Sequence, residues 1–333
     1  MNREHSAGNI DRAADRAARP SWLRRLAIAA AGLAVIALVG LHVVALVPIW
    51  PCHLFQHFRV QYAAGGLVVV GCAAALRMGG SFDVAAIATL LHALWIAPDL
   101  CSAARPIPND GVAFRVLLLN VHTESTAFDQ VRALIDDVRP DLIGLMEVDR
   151  RWLDELAPAV ASYPGRLEQP RADNFGVALY ARKPLAGAIE QGGRLPRVVA
   201  QVGLDGAELA VLLVHPLPPV SGPSLAAQRA TLEAVADRAR AISTPLLIMG
   251  DFNATPWSSP FRRLVDRTGL CDSRAGFGIG ASFPATSTVL RIPIDHVLVS
   301  CSIGVRERRI ERDVGSDHLP VVLDLVVPRR HGG

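Results

Sequence analysis

Two polar residues, Asp251 and Asn253, follow an apolar run, residues 246–250, that is typical of a buried strand. In an extended segment, the side chains of residues i and i+2 point to the same side. A carboxylate and an amide therefore leave the strand end together, where they could orient a water molecule and bind a phosphoryl oxygen. The alternative is a strand that ends in an ordinary Asx turn.

Further polar residues stand at the ends of other apolar strands. Asn120, Glu147 and His215 each follow one such strand, and Asp295 and the pair Asp317-His318 each stand where one begins. Sheet ends that converge on one edge would bring all of these side chains into one cleft. So many polar residues at strand ends favour a functional site over chance.

These residue types suit metal-assisted hydrolysis of a phosphoester. Glu147 and Asp317 are hard oxygen ligands for Mg²⁺ or Mn²⁺, and the Asn120 amide could contact the metal shell or a carboxylate. His318 needs an orienting acceptor, for which Asp295 is the candidate.

The remaining residues complete the predicted chemistry. Asp251 could position or deprotonate water, Asn253 could donate to a phosphate oxygen, and His215 could serve the leaving group or a phosphate oxygen. Together the set predicts in-line attack of water with a metal neutralising developing charge. His296 receives no catalytic role, because alternation sends it away from Asp295.

The motifs that carry these residues resemble the endonuclease/exonuclease/phosphatase superfamily. They occur in that family's order over residues about 112–327: Leu119-Asn120, Leu145-Met146-Glu147, Gly250-Asp251-Phe252-Asn253, Ile294-Asp295-His296 and Gly315-Ser316-Asp317-His318-Leu319-Pro320. This is the metal-dependent group that contains DNase I-like nucleases, sphingomyelinases and inositol-phosphate phosphatases. The chain also begins with membrane spans, which resembles a bacterial membrane-anchored subgroup.

The resemblance implies a four-layer α/β sandwich in which two mixed β-sheets lie face to face and helices cover them. It implies Glu147 as a metal ligand with Asn120 and Asp317 near the metal, and Asp251 and Asn253 around the water and phosphate. It further implies His318 as the catalytic histidine paired with Asp295. His215 resembles the second histidine of the DNase I-like and sphingomyelinase branches.

Sequence patterning predicts the elements that must position these residues. Apolar runs predict strands at 114–119, 141–146, 175–181, 198–204, 208–214, 246–250, 294–299 and 320–327. Helical periodicity predicts helices at 126–139, 149–157 and 224–242, and one more that begins near Trp257.

The N-terminal third of the chain predicts a membrane unit. Residues 1–25 form a polar, basic tail, and 26–47 are uncharged and long enough to cross a ~30 Å hydrocarbon core. Residues 60–78 and 82–100 predict two further spans, which would make three transmembrane helices. A linker at 101–111 then leads to a catalytic domain at 112–327 and a short tail at 328–333.

Arginine distribution predicts the orientation of the spans. The N-terminal tail is arginine-rich, whereas the loop at 48–59 carries only Arg59. By the positive-inside rule the N-terminus is cytoplasmic, and three crossings place the catalytic domain outside the inner membrane. In that oxidising space Cys52–Cys101 and Cys271–Cys301 are candidate disulfides, and the alternative is five unpaired thiols.

The sequence therefore leaves three functions to compare. The first is a membrane-anchored phosphoesterase that acts with Mg²⁺ or Mn²⁺ on a lipid-linked or small-molecule phosphate ester. The second is an anchored non-specific nuclease whose basic groove would draw on Arg182, Lys183, Arg194 and Arg197. The third is a binding domain that kept the fold, which the complete set of catalytic residue types disfavours. The net charge of +3 gives no general signal for polyanion binding.

Overall fold

A computed structural model describes residues 21–192 and 195–329. Its N-terminal part consists of helices α1 (Ser21–Val44), α2 (Arg59–Ala75) and α3 (Gly79–Cys101), with a short 3-10 helix (Cys52–Phe58) before α2. All three helices are long and apolar enough to span a membrane, with mean hydropathies from 1.4 to 2.4 over Trp22–Val44, Cys52–Ala75 and Gly79–Cys101.

The helix ends differ slightly from the predicted spans. The first helix begins at Ser21 rather than at residue 26, so Arg24 and Arg25 lie inside it. The turn between α2 and α3 lies at residues 76–78, before the glycine pair Gly79-Gly80, because those glycines begin α3. The predicted N-terminal tail up to residue 20 lies outside the described residues.

The chain divides into two compact units. One comprises residues up to Val43 together with Tyr62–His92, and the other comprises Val44–Gln61 and Ala93 onwards. The second unit therefore contains the whole β-structure together with the connection between α1 and α2.

The β-structure consists of two six-stranded mixed sheets. The first has the order β11-β12-β1-β2-β4-β3 and the second has the order β5-β6-β7-β8-β10-β9. The strands of the first sheet are β1 (Gly111–Asn120), β2 (Leu142–Met146), β3 (Gly165–Gln169), β4 (Val177–Ala181), β11 (Gly304–Ile310) and β12 (Val321–Pro328). Those of the second are β5 (Leu185–Gly192), β6 (Leu195–Leu204), β7 (Ala207–Val214), β8 (Leu246–Asp251), β9 (Cys271–Asp272) and β10 (Asp295–Val299).

Three apolar layers give the predicted four-layer α/β sandwich. Alternate residues of the central strands, such as Leu118, Leu213 and Met249, pack between the two sheets. The intervening residues pack outward against helices on each side: α4 (Phe128–Val138) and α5 (Arg150–Leu156) on the first sheet, α6 (Gly222–Arg240) and α7 (Ser259–Thr268) on the second. The fold class predicted from the sequence is confirmed.

The cysteines correct one part of the disulfide hypothesis. Cys271 and Cys301 form a disulfide with their Cα atoms 5.2 Å apart, whereas Cys52, Cys72 and Cys101 are free thiols. Cys271 lies in β9 and Cys301 follows β10, and the pairing of these two strands holds the cysteines close together. The proposed Cys52–Cys101 bond is absent from the structure.

Candidate active site

The candidate site lies at one end of the space between the two sheets. Asn120, Asp251 and Asp295 belong to the same alternating rows as the inward-facing core residues of β1, β8 and β10. Asp295 also stands directly opposite Asp251 in the antiparallel register of β10 and β8. Strand alternation and register therefore aim these three side chains into one inter-sheet cleft.

One oxygen of Asp251 is surrounded by three nitrogen atoms. Its Oδ2 lies 3.4 Å from His215 Nε2, 3.6 Å from His318 Nε2 and 3.3 Å from the amide nitrogen of Asn120. The other oxygen, Oδ1, accepts a hydrogen bond from the Asn253 backbone at 2.8 Å. Burial opposes ionisation of Asp251, but His318 and His215 outweigh it and lower the pKa of this carboxyl.

His318 lies between two carboxylates. Its Nδ1 is 2.8 Å from Asp295 Oδ2, and its Nε2 faces Asp251. Although burial opposes the charged form, Asp295 and Asp251 overcome it and raise the pKa of His318 to about 10. We call Asp251, His318 and Asp295 the buried relay, since each is at most 4% exposed.

Two loop residues support the relay from the side. Ser282 Oγ donates to Asp295 Oδ2 at 2.5 Å, and the Phe283 ring packs on the His318 ring with the centroids 4.6 Å apart. The imidazole of His318 is therefore held by one carboxylate along its edge and by an aromatic ring on its face.

The second group of polar residues is more exposed. Glu147 and Asp317, which we call the rim carboxylates, have side-chain exposures of 15% and 40%. They lie 3.8 Å and 3.5 Å from the same atom, His122 Nδ1. Within the described ranges no arginine or lysine forms an ion pair with either rim carboxylate, so their negative charge is available to a cation.

Asn120 connects the rim to the relay. Its amide nitrogen donates to Glu147 Oε1 at 2.9 Å and reaches Asp251 Oδ2, while its Oδ1 accepts from the His122 backbone at 3.0 Å. The amide was predicted to contact either the metal shell or a carboxylate, and in the structure it contacts two carboxylates. Thr123 also holds Glu147 through both its backbone nitrogen and its hydroxyl.

Asn253 and His215 form the far side of the cleft. The Asn253 amide nitrogen donates to the Pro216 carbonyl at 3.1 Å and lies 3.4 Å from His215 Nε2. His215 is buried and packs against the Phe175 ring, with the centroids 5.1 Å apart. All eight predicted site residues thus belong to one contact network.

Backbone conformation is unusual at three residues of the site. His122, Glu147 and Asn253 have φ angles of 59°, 60° and 51°, in the left-handed region that non-glycine residues rarely adopt. Such conformations persist where surrounding contacts fix them, and they cluster at functional sites.

Gly250 allows the strands to approach each other. Its φ is 151°, and a Cβ atom placed there would lie 1.8 Å from the Val214 carbonyl oxygen. Because Val214 precedes His215 and Gly250 precedes Asp251, the missing side chain lets these two site residues meet.

A cation could be placed in two ways. Single ligand atoms of Asp251, Asp295 and His318 lie within 4.8 Å of one another, which makes the relay a geometric candidate. However, both His318 nitrogens already face carboxylates, and a protonated imidazole would repel a metal ion. The rim carboxylates, being unbalanced and accessible, are the better oxygen ligands for Mg²⁺ or Mn²⁺.

Sequence reasoning missed several residues of this site. His122 could have been found, because it stands two residues after Asn120, just as Asn253 stands two after Asp251. Ser282 and Phe283 lie in an irregular loop and gave no pattern. His296, which received no role, points away from the inter-sheet cleft but is buried, and its Nε2 lies 2.7 Å from the Ala254 carbonyl.

Comparison with known proteins agrees with the fold and motifs. Residues 117–318 match the model of the Endonuclease/Exonuclease/phosphatase family. A search of curated protein sequences gives no match.

Solved structures of similar fold include a protein of the same description from Beutenbergia cavernae, with a TM-score of 0.51 and 21% identity, over 65% of this chain and 72% of that one. Another is D. rerio TDP2 humanized by 14 mutations, with a TM-score of 0.54 and 16% identity, over 64% of this chain and 98% of that one. A third is an endonuclease/exonuclease/phosphatase family protein from Bacteroides thetaiotaomicron, with a TM-score of 0.52 and 18% identity, over 66% of this chain and 99% of that one. At these identities the likeness concerns the fold.

Proposed function

This chain belongs to the endonuclease/exonuclease/phosphatase family, and from that premise we propose that it is a membrane-anchored, divalent-metal-dependent phosphoester hydrolase. The proposed substrate is a lipid-linked or small-molecule phosphate ester on the outer side of the membrane. The observation that carries the proposal is that Asn120 joins the buried, charge-paired relay to Glu147, one of the two unbalanced rim carboxylates.

The rim suits a divalent cation. The Glu147 carboxylate is held by Asn120 and by the Thr123 backbone nitrogen, so it is oriented in advance, while Asp317, near His122 Nδ1, remains accessible. Mg²⁺ and Mn²⁺ are typically bound by a small number of oxygen ligands and keep several water molecules, which matches two carboxylates at a partly exposed position. When bound, the cation would neutralise charge on the phosphoryl oxygens.

The relay would supply proton transfer and charge stabilisation. Asp251 is kept ionised and would accept the proton of the attacking water. His318, held in its charged form by Asp295, would stabilise negative charge on the phosphoryl group. Asn253 and His215 would contact a further phosphoryl oxygen or the leaving group.

Several observations support an outward-facing domain at the bilayer surface. The Cys271–Cys301 disulfide suits an oxidising compartment. In the described part of the catalytic domain, only Val220, Val289 and Leu290 are exposed large apolar side chains. Val220 lies in the loop between His215 and α6, and the other two lie in the loop that carries Phe283, so both loops adjoin the site. An apolar lip there would favour substrates presented by lipid.

The basic residues offered for a nuclease groove are engaged elsewhere. Lys183 pairs with Asp205 and Arg197 pairs with Glu190, while Arg182 stacks on Tyr163 and donates to the Pro140 carbonyl. Arg194 lies outside the described residues. A nuclease therefore remains the alternative for the experiment to separate.

The test uses full-length protein in lipid nanodiscs with Mg²⁺ or Mn²⁺. Candidate substrates are phospholipids, a polyprenyl phosphate, soluble phosphomonoesters and phosphodiesters, and supercoiled plasmid. We expect cation-dependent release from a lipid-linked or small ester, absent in Asp251→Asn. Plasmid nicking without ester hydrolysis would favour the nuclease, and no turnover of any substrate would refute the proposal. A C-terminal reporter fusion would test the outward orientation.

A further inference from the structure

The connection between α1 and α2 packs against the loop that carries Asn253. Both belong to the second compact unit. In this connection the 3-10 helix buries His53, Gln56 and His57, each at most 5% exposed. The segment that joins α1 to α2 is thus buried beside the candidate site.

The loop at residues 252–258, which we call the catalytic loop, has its first half fixed from within the catalytic domain. The Phe252 backbone nitrogen donates to the Ile294 carbonyl at 2.9 Å. Gln228 on α6 donates to the carbonyls of Phe252 and Asn253, at 3.3 and 2.7 Å. His296 on β10 contacts the Ala254 carbonyl.

The connection adds contacts to the second half of the catalytic loop, where Ser258 also donates to the Thr255 carbonyl at 2.7 Å. The Thr255 backbone nitrogen lies 3.3 Å from His57 Nδ1, and its hydroxyl lies 3.1 Å from the same atom. Because a backbone N–H can only donate, Nδ1 is the acceptor, and the hydroxyl must donate to it as well, so the two donors share the single lone pair of Nδ1. Thr255 has no exposed surface, so in the folded protein its backbone nitrogen depends on His57 rather than on solvent for a partner.

A second contact continues this attachment into α7. Gln56 Oε1 accepts a hydrogen bond at 3.2 Å from the backbone nitrogen of Ser259, the first residue of that helix. Gln56 and His57 therefore hold both Thr255 and the start of α7.

We infer that His57 is a positioning residue for the catalytic loop, so that the connection between α1 and α2 sets the geometry of Asn253. Thr255 follows Asn253 by two residues, and Asn253 holds a left-handed backbone conformation that needs contacts on both sides. Without the acceptor at Nδ1, the buried Thr255 nitrogen has no partner and the loop would shift to find one. As an effect on catalysis, this inference rests on the proposed function.

The experiment compares three variants of the full-length protein in nanodiscs. We expect His57→Ala to lower kcat about tenfold, with KM and the cation concentration for half-maximal activity within about twofold of wild type. Hydrogen exchange should rise in peptides covering residues 253–258. His57→Asn should recover most of both signals, because Asn Oδ1 can occupy the position of Nδ1 and accept the same two bonds.

Arg229→Ala is the matched control. Arg229 on α6 donates to the Pro48 carbonyl, so the variant breaks a contact of the same connection without touching the catalytic loop. It should leave kcat and exchange at residues 253–258 unchanged. Equal effects of His57→Ala and Arg229→Ala, or no recovery in His57→Asn, would overturn the inference.

The exchange measurement separates this inference from the proposed function, because it needs no substrate. If the wild type hydrolyses no phosphoester but His57→Ala alone loosens residues 253–258, the positioning role stands and the function falls. If activity is found and exchange is unaltered in His57→Ala, the positioning role falls. Should His57→Ala not fold, His57→Asn against Arg229→Ala gives the comparison: unaltered exchange and kcat in His57→Asn support the inference, and increased exchange there overturns it.

Discussion

The rim carboxylates and the buried relay are joined by Asn120, yet they differ in how their charges are balanced. In the relay, the His318 imidazolium lies between Asp251 and Asp295, and little surface is exposed. In the rim, the ionisable side chain that lies near both Glu147 and Asp317 is the partly exposed His122. The difference indicates that the relay geometry is complete without a ligand, whereas the rim keeps negative charge for the proposed cation. Substitutions in the two regions should therefore respond differently to added metal.

The largest effect is expected from the relay. Asp251→Asn keeps the shape of the side chain but removes the proton acceptor and the counter-charge of His318. We expect kcat to fall by about 10³-fold or more, with no recovery at higher Mg²⁺ or Mn²⁺, in initial-rate assays at several cation concentrations. Asp324→Asn, which removes a carboxylate paired with Arg115, is the control and should keep its rate. Recovery of Asp251→Asn by metal would break the distinction.

A geometric change without any change of charge should come next. Gly250→Ala would force a Cβ atom against the Val214 carbonyl and move Asp251 away from His215. We expect kcat to fall by about 10²-fold and the unfolding temperature to drop. Gly203→Ala on β6 meets no atom within 4 Å and is the matched control. Wild-type rates in Gly250→Ala would show that the spacing between β7 and β8 does not determine the geometry of the relay.

The rim should give a smaller effect that metal can offset. Glu147→Gln removes one of two unbalanced charges, so the cation concentration for half-maximal activity should rise about 10- to 100-fold, with part of the rate restored at saturating Mn²⁺. Titrations of activity against metal concentration measure this shift. The exposed neighbour Glu124 supplies the control, since Glu124→Gln should leave the titration unchanged. An unshifted titration in Glu147→Gln would remove Glu147 from the cation site.

The smallest effect contrasts two buried histidines. Burial, aided by Arg274, lowers the pKa of His296 to about 3, whereas the carboxylates of the relay raise that of His318. The unfolded chain binds a proton at His296 below pH 6.5, and the folded state does so only near pH 3. His296 therefore costs no stability above pH 6.5 and destabilises the fold progressively as the pH falls from 6.5 to 3.

His296→Gln tests this contrast, because glutamine can still donate to the Ala254 carbonyl but does not titrate. Relative to His296→Gln, the wild type should lose about 2 kcal/mol of stability between pH 7 and pH 5. Thermal unfolding of both proteins at the two pH values measures the difference. Parallel losses in both proteins would mean that His296 is protonated in the fold.

Sequence patterning predicted the inner strands and missed the edges. The four strands without a prediction, β3, β5, β9 and β11, are the outermost strands of the two sheets. Edge strands bury less apolar surface and carry charge, so they lack the apolar runs of inner strands. In β11, Gly304–Ile310, three of seven residues are arginine, and its exposed positions include Arg306 and Glu307.

The site was predictable where strand geometry placed it. Asn120, Asp251 and Asp295 follow from alternation along strands whose apolar runs are clear in the sequence. The supports from Ser282 and His57 depend on irregular segments that meet the site from distant parts of the chain, and no local periodicity marks such contacts. From the sequence, the Cys271–Cys301 bond stood against the alternative of unpaired thiols, and only the pairing of β9 with β10 in the structure decides between them.

The left-handed backbone conformations of His122 and Glu147 lower the stability of the fold at two positions that serve the proposed activity. Each conformation costs about 1–3 kcal/mol for a residue with a Cβ atom, and glycine would remove most of that cost. Random libraries screened only for survival at high temperature should therefore collect glycine or asparagine at positions 122 and 147. The surviving clones would be sturdier proteins without a working cation site.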